Sequence, residues 1–268
     1  MYRVIAIANQ KGGVGKTTTS VNLAASLSAT KRRVLLIDLD PQGNATMGSG
    51  IDKYAVEKSS YDLLMGTESA QAVIVPAETG GYDVVPTNTD LTAAEVELIN
   101  VADKDKRLRN ALESLRDEYD YVLIDCPPAL NMLTVNALVA AHSVMIPMQC
   151  EYFALEGLSA LLDTINKIRE VHNPELQIEG LLRTMHDPRN KLTAEVTEQL
   201  SKYFGDKVYR TIIPRNVRLA EAPSHGLPVL YYDKGSRGAQ AYLALAGEIL
   251  RRDEERQSGE AATGTDSE

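Results

Sequence analysis

The stretch Lys11-Gly12-Gly13-Val14-Gly15-Lys16-Thr17-Thr18 constrains this chain more than any other. A short apolar run, Val4-Ile5-Ala6-Ile7-Ala8, precedes it, and a helical-looking run from Thr18 to Leu27 follows. Strand, glycine-rich turn and helix in that order provide the setting for a phosphate-binding loop. Successive backbone N–H groups of such a turn converge on one concavity, and the helix N-terminus adds the positive end of its dipole. Gly12, Gly13 and Gly15 let the backbone curl tightly and approach phosphates with no Cβ in the way. Lys16 is placed to reach the β- and γ-phosphates and the Thr17 hydroxyl to bind Mg²⁺, with Val14 and Thr18 completing the nucleotide-contacting set. The ordinary spacing puts glycine at position 10. This chain has Gln10 there, and instead a second lysine, Lys11, followed by paired glycines.

The residues around the loop predict an α/β fold: a doubly wound, mostly parallel sheet with helices on both faces. Apolar runs at Val4–Ala8, Val34–Asp38, Tyr82–Pro86, Tyr121–Asp125, Val144–Gln149, Gln177–Leu182 and Val208–Ile212 read as strands, several without polar alternation, as strands covered on both faces should be. Helical patterns lie between most of them. Thr92-Ala-Ala-Glu95 has capping-box spacing. Leu158, Leu161, Leu162, Ile165 and Ile168 make one core-facing stripe, and Leu192, Val196, Leu200 and Tyr203 another. One domain is expected over 1–250, and a disordered acidic tail over 251–268.

A formal net charge of −9 excludes a generally basic protein wrapped on nucleic acid, so any DNA contact must use a local patch. With no Trp and two Phe, base stacking on aromatic side chains is not expected either. Cys126 and Cys150 have no CxxC partner and read as small, reduced, apolar residues. His142, His172, His186 and His225 lack metal-ligand spacing. No apolar stretch approaches a membrane span, and the N-terminus enters the first strand directly, without a signal peptide or an appended DNA-binding domain.

Two acidic strand ends complete the site. Leu35-Leu36-Ile37-Asp38-Leu39-Asp40-Pro41 is a buried strand ending in two aspartates of one side-chain parity. Asp40 is the candidate to orient the attacking water and accept its proton, and Asp38 to stand one layer behind the Mg²⁺ or the loop lysine. The plainer reading is that both merely begin a turn. Tyr121-Val-Leu-Ile-Asp125-Cys-Pro-Pro128 is a strand whose terminal carboxylate holds Mg²⁺ directly or through water. Pro127 and Pro128 then stiffen a loop able to sense the γ-phosphate. No arginine lies near these motifs to stabilise transferred charge, so weak intrinsic turnover is expected.

These stretches together resemble the ParA/Soj-type partitioning ATPases, within the MinD/ParA group of deviant Walker A P-loop proteins. The likeness extends over about residues 2 to 250. It includes Asp38-Leu-Asp-Pro-Gln-Gly-Asn-Ala-Thr46, Leu133-Thr-Val-Asn-Ala-Leu138, Gln149-Cys-Glu-Tyr-Phe-Ala-Leu-Glu-Gly157 and Ile213-Pro-Arg-Asn-Val-Arg-Leu-Ala-Glu-Ala-Pro223. The resemblance implies ATP and Mg²⁺ as cofactors and an ATP-dependent sandwich homodimer. It implies non-specific binding of double-stranded DNA by that dimer, and a ParB-type centromere-binding protein that stimulates hydrolysis. Lys11 matches the lysine that reaches across the dimer, Lys16 the catalytic loop lysine, and Asp40 and Asp125 the two switch aspartates. Pro214, Arg215 and Asn216 match the stretch near the base. Arg189 and Arg218 match DNA-phosphate contacts, within a local basic surface that also offers Arg183, Lys191 and Arg215. A cytoplasmic, nucleoid-associated protein acting on a chromosome or plasmid follows from the likeness. Two other readings share the nucleotide site: a positioning scaffold for another cargo, and a MinD-like membrane ATPase, whose basic amphipathic C-terminal helix has no counterpart in this acidic tail. An iron-protein reductase would need cluster-binding cysteines that the chain does not supply.

Overall fold

The computed structural model describes residues 2–151 and 154–263. Tyr152 and Phe153, within the family-like stretch 149–157, lie outside the described residues, as does the end of the tail from Asp266 on together with Gly264 and Thr265.

Eight strands form one sheet: β1 (Arg3–Ile7), β2 (Val34–Asp38), β3 (Val75–Ala77), β4 (Tyr82–Val85), β5 (Tyr121–Asp125), β6 (Ser143–Met148), β7 (Gln177–His186) and β8 (Val208–Pro214). Their order across the sheet is β3-β4-β2-β5-β1-β6-β7-β8. Every pairing is parallel except that of β3 with β4. The strands are rich in Val, Ile and Leu because both faces are covered, and side-chain alternation divides them between two cores. Ile5, Ile7, Leu36, Leu123, Met145 and Leu182 pack with the helices Lys16–Ala29 and Arg237–Thr263. Val4, Ala6, Leu35, Ile37, Val122 and Ile124 pack on the other face with the helices Met132–Ala140 and Ala154–Val171. Register then brings the acidic strand ends together. Asp125 pairs with Ile7 on one side and with Asp38 on the other, at the carboxyl edge of the sheet where ligands of doubly wound folds bind.

The structure departs from the sequence expectations at the periphery. Val75-Pro76-Ala77 forms an antiparallel edge strand too short to show a period, and its proline is tolerated because it stands at the sheet edge. The helix at Leu91–Glu97 starts at Asp90 without a side-chain cap, which puts Thr92 inside the first turn, so no capping box forms there and Glu95 accepts from the Asn131 amide. Val196 and Leu200 are buried as expected, but Tyr203 is 73% exposed. The largest difference concerns the tail. The last described helix continues through Arg251 to Thr263, so 251–263 is helical rather than disordered. Its polar composition hid an anchor. The Asp253 carboxylate is buried, accepts from the Tyr121 hydroxyl at 2.6 Å, and pairs with Arg3 and Arg256.

That anchor belongs to a buried ion cluster at the amino end of the sheet. The Glu179 carboxylate pairs with Arg3, accepts from Ser143 Oγ at 2.7 Å and pairs with Arg256 Nη2 at 3.1 Å. Burial alone would raise its pKa, but Arg3 and Arg256 outweigh burial and hold it down at about 2. A depressed carboxylate pKa contributes stability that is present above its ordinary value of 4.5 and is lost as pH falls toward 2. Glu179→Ala is expected to destabilise the protein by about 3–5 kcal/mol at neutral pH, because it removes a buried, fully engaged carboxylate and leaves the partly buried Arg3 and Arg256 to share Asp253. Urea unfolding measures this, and a loss below about 1 kcal/mol would give the cluster the weight of a surface pair.

Candidate active site

The loop after β1 is built for anions. Gly13 (φ 72°) and Gly15 (φ 89°) occupy the left-handed region, where a side chain would be strained. Gly15 is also the N-cap of the Lys16–Ala29 helix and gives it no side-chain cap, so the first N–H groups of that helix remain available for phosphate oxygens. Neighbouring side chains fix the loop from behind. Asn9 Oδ1 accepts from the Lys11 N–H at 2.9 Å, while Asn9 Nδ2 donates to the Pro147 carbonyl at 2.8 Å. Thr184 Oγ1, from β7, donates to the Val14 carbonyl at 2.7 Å.

The two loop lysines differ in environment. Lys16 is buried and its Nζ donates to the Lys11 carbonyl at 3.2 Å, folded across the loop. Burial lowers its pKa, opposed by the charges of Asp125, Cys126 and Asp40. The Lys11 side chain points to the rim, 41% exposed, and pairs with Glu151 Oε2 at 2.6 Å.

Asp125 is fully buried. Thr17 Oγ1 and Ser20 Oγ each donate to it at 2.8 Å. Asp38, also fully buried, accepts from the Thr46 N–H at 2.8 Å, the Thr46 hydroxyl at 2.7 Å and the Asp40 N–H at 3.1 Å. Its oxygens therefore tie down the segment carrying Asp40, and it stands beside Asp125 on the adjacent strand. Burial raises both carboxylates, and repulsion between the paired aspartates raises Asp125 further. Asp40 is 9% exposed and turns back to accept from the Gln42 N–H at 3.0 Å. Three carboxylates around one buried lysine leave this corner short of positive charge. The donors at its mouth, a threonine hydroxyl and carboxylate oxygens, suit a hard cation such as Mg²⁺.

A cavity of about 330 Å³ opens next to the loop, and Gly15, Thr18, Met185, Pro214, Arg215 and Asn216 help line it. The sequence-derived base-contacting trio thus sits against the phosphate loop, across a space of the size small-ligand sites take. Asn216 also caps the short helix Val217–Glu221, accepting from the Arg218 N–H at 2.9 Å.

Neither candidate DNA contact lines this pocket, although Arg218 stands between Val217 and Leu219, which do. Arg189 is exposed and doubly bonded to Asp187, with Nε at 2.9 Å and Nη2 at 2.7 Å. Arg218 is half-exposed and pairs with Glu221 at 2.8 Å and Asp233 at 3.2 Å. Arg183, expected on a basic surface, is instead buried in β7. Ser20, Thr184 and Glu151 escaped the sequence reading. Ser20 was legible, since it follows Thr17 by three residues and shares its helix face. Thr184 and Glu151 come from distant strands and loops, and no local pattern marks them.

Fold and site together place the chain among the P-loop NTPases. It matches the family model described as AAA domain over residues 2–178. It is 54% identical to the sporulation initiation inhibitor protein Soj of Bacillus subtilis (strain 168), covering 93% of this chain and 98% of that one. It is 53% identical to the chromosome partitioning protein ParA of Caulobacter vibrioides (strain NA1000 / CB15N), covering 96% and 97%. The crystal structure of cobyrinic acid a,c-diamide synthase from Mycobacterium smegmatis with bound ADP and magnesium is similar with a TM-score of 0.83 at 37% identity, covering 95% and 96%. The chain belongs to the ParA/Soj family of partitioning ATPases.

Proposed function

We propose that this chain is an ATP-driven switch for partitioning a chromosome or plasmid. ATP closes a sandwich homodimer with two nucleotides at its interface, and the dimer binds double-stranded DNA without sequence preference. A ParB-type centromere-binding protein then speeds an intrinsically slow hydrolysis and releases the DNA, so that the protein works on the nucleoid in the cytoplasm. The observation that carries this reading is the division of labour between the loop lysines. Lys16 is buried and folded across the loop, while Lys11 stands at the rim, paired with Glu151, and this reading has it serve a nucleotide on another protomer.

In this reading Gly12 to Thr18 cradle the phosphates, with Lys16 on the β- and γ-oxygens, and Pro214, Arg215 and Asn216 border the base. Mg²⁺ would be held by the Thr17 hydroxyl and, through water, by Asp125, and when bound it neutralises charge on the transferring and leaving oxygens. Asp38 holds the Asp40 segment in place, and Asp40 orients the attacking water and takes its proton. Turnover stays slow in this reading because no arginine is among the residues assigned to the transferring phosphoryl group. Among the described residues no helix is long and apolar enough to cross a membrane.

Retention on a non-specific duplex, measured without nucleotide, with ADP and with ATP–Mg²⁺, tests the proposal. Binding is expected with ATP alone, and is expected to fall by about 10³-fold between roughly 50 and 200 mM salt, as phosphate-dominated binding does. Equal binding in all three states, or none in any state with ATPase activity intact, would remove the DNA switch from the function.

A further inference from the structure

A groove along the β8 edge has at its floor a buried cation that forms no ion pair among the described residues. Arg183 is 9% exposed. Its Nη2 donates to the carbonyls of Tyr209 at 2.8 Å and Arg210 at 3.4 Å, where β8 bulges out of register with β7. Its Nε is buried and finds no partner among the described residues, and no carboxylate there forms an ion pair with it. A guanidinium withdrawn from water in this way is costly unless an anion joins it. Burial accordingly lowers its pKa, opposed only by Cys150 and Glu248.

The groove above Arg183 encloses about 700 Å³, within the range of small-ligand sites. Lys207 and Arg210 come from the β8 side, and Arg251, Arg252 and Arg256 from the last helix. Arg252 and Arg256 are already engaged, by Glu248 at 2.9 Å and by Glu179 at 3.1 Å. Lys207, Arg210 and Arg251 make no ion pair among the described residues, in contrast to Arg189 and Arg218. Of the acids on the walls, Glu248 is occupied by the N–H groups of Arg210 (2.9 Å) and Thr211 (2.8 Å), which leaves Asp206 and Glu255 against the free cations. Basic residues outnumber acidic ones between positions 183 and 256 although the whole chain carries −9. The groove lies toward Val208, the amino end of β8, whereas the nucleotide loop stands at the carboxyl end of the sheet.

We propose that this groove binds a phosphate-bearing ligand, with Arg183 donating from the floor and Lys207, Arg210 and Arg251 from the walls. Guanidinium groups match phosphate oxygens in forked geometry, and a ligand there satisfies the orphaned Nε. Two sources share this chemistry, a free phosphoanhydride and the backbone of a nucleic acid. The inference does not depend on the ATP-driven DNA switch proposed above.

The test uses the full chain saturated with ADP, so that the phosphate loop is filled, and inorganic pyrophosphate as probe in equilibrium dialysis. One further site is expected. Lys207→Ala combined with Arg251→Ala should weaken it by about tenfold or more, and so should Arg183→Met. If Arg183→Met does not fold, the rim double variant carries the test alone. The source is then read from duplex binding by the ATP-bound protein. Weakened duplex binding in the rim variant assigns the groove to a nucleic-acid backbone, and unchanged duplex binding with the pyrophosphate site lost assigns it to a free phosphate compound. If neither pyrophosphate nor duplex binding responds to these variants, the groove is not a phosphate site and Arg183 serves only the bulge carbonyls. The pyrophosphate arm is performed in the ADP state, so its outcome is separate from that of the ATP-dependent switch.

Discussion

Asp40→Ala is expected to lower ATP hydrolysis by about 10²-fold or more while ATP still binds and the dimer accumulates on DNA. The separation follows from where Asp40 sits. Its carboxylate accepts from the Gln42 N–H and bonds none of the loop groups that hold phosphates, so the loop stays intact without it. What disappears is the carboxylate to which the proposed mechanism gives the positioning of water and the taking of its proton. Steady-state phosphate release and equilibrium binding of a fluorescent ATP analogue read the two properties independently. Normal turnover in the variant would hand the role of base to another group.

Arg189→Ala with Arg218→Ala is expected to reduce retention of the ATP-bound dimer on non-specific DNA by about 10²-fold without affecting nucleotide-dependent dimerisation. In a dimer the double change removes four candidate phosphate contacts, so the salt dependence should become shallower by about 3–4 in log–log slope. The structure adds a condition. Arg189 is clamped by Asp187, and Arg218 by Glu221 and Asp233, so each arginine must exchange carboxylate for phosphate. Surface pairs of this kind hold weakly, and the exchange is affordable. DNA retention measured on a duplex-coated surface across a salt series gives both quantities. An unchanged slope would move the DNA contact elsewhere on the protein.

The central sheet was legible because its strands are continuous Val/Ile/Leu runs bounded by glycine, proline or acidic residues, which leave no competing helical period. β3 was not legible, since three residues around a proline carry no period and pair only because β4 offers an edge. The tail misled for a different reason. From Arg251 on, composition is polar, and only the tertiary structure shows that Asp253 meets Tyr121 and Arg3. At the site, the loop and the strand-end aspartates are local patterns tied to chemistry, so sequence alone could name them. Thr184 and Glu151 join the site through chain reversals that no window of sequence contains. Arg183 illustrates the same limit. A charge after Gly180-Leu181-Leu182 looks like the end of a strand, yet β7 runs on to His186 and carries the guanidinium inside.

The place of β1 in the sheet also bears on how the protein is made. The strand that ends in the phosphate loop precedes every other described strand of the sheet in the chain, and it lies between β5 and β6, pairing Ile5 with Leu123 on one side and with Ser143 on the other. Both neighbours are synthesised more than a hundred residues later, on the order of 10 s at ordinary elongation rates. During that interval an apolar strand waits without a partner, and the Arg3 pairing with Asp253 cannot form until the last described helix has been synthesised. Nascent chains of this protein should therefore be clients of ribosome-associated chaperones, and the phosphate loop should become competent for nucleotide only late in synthesis, once β5 has docked against β1.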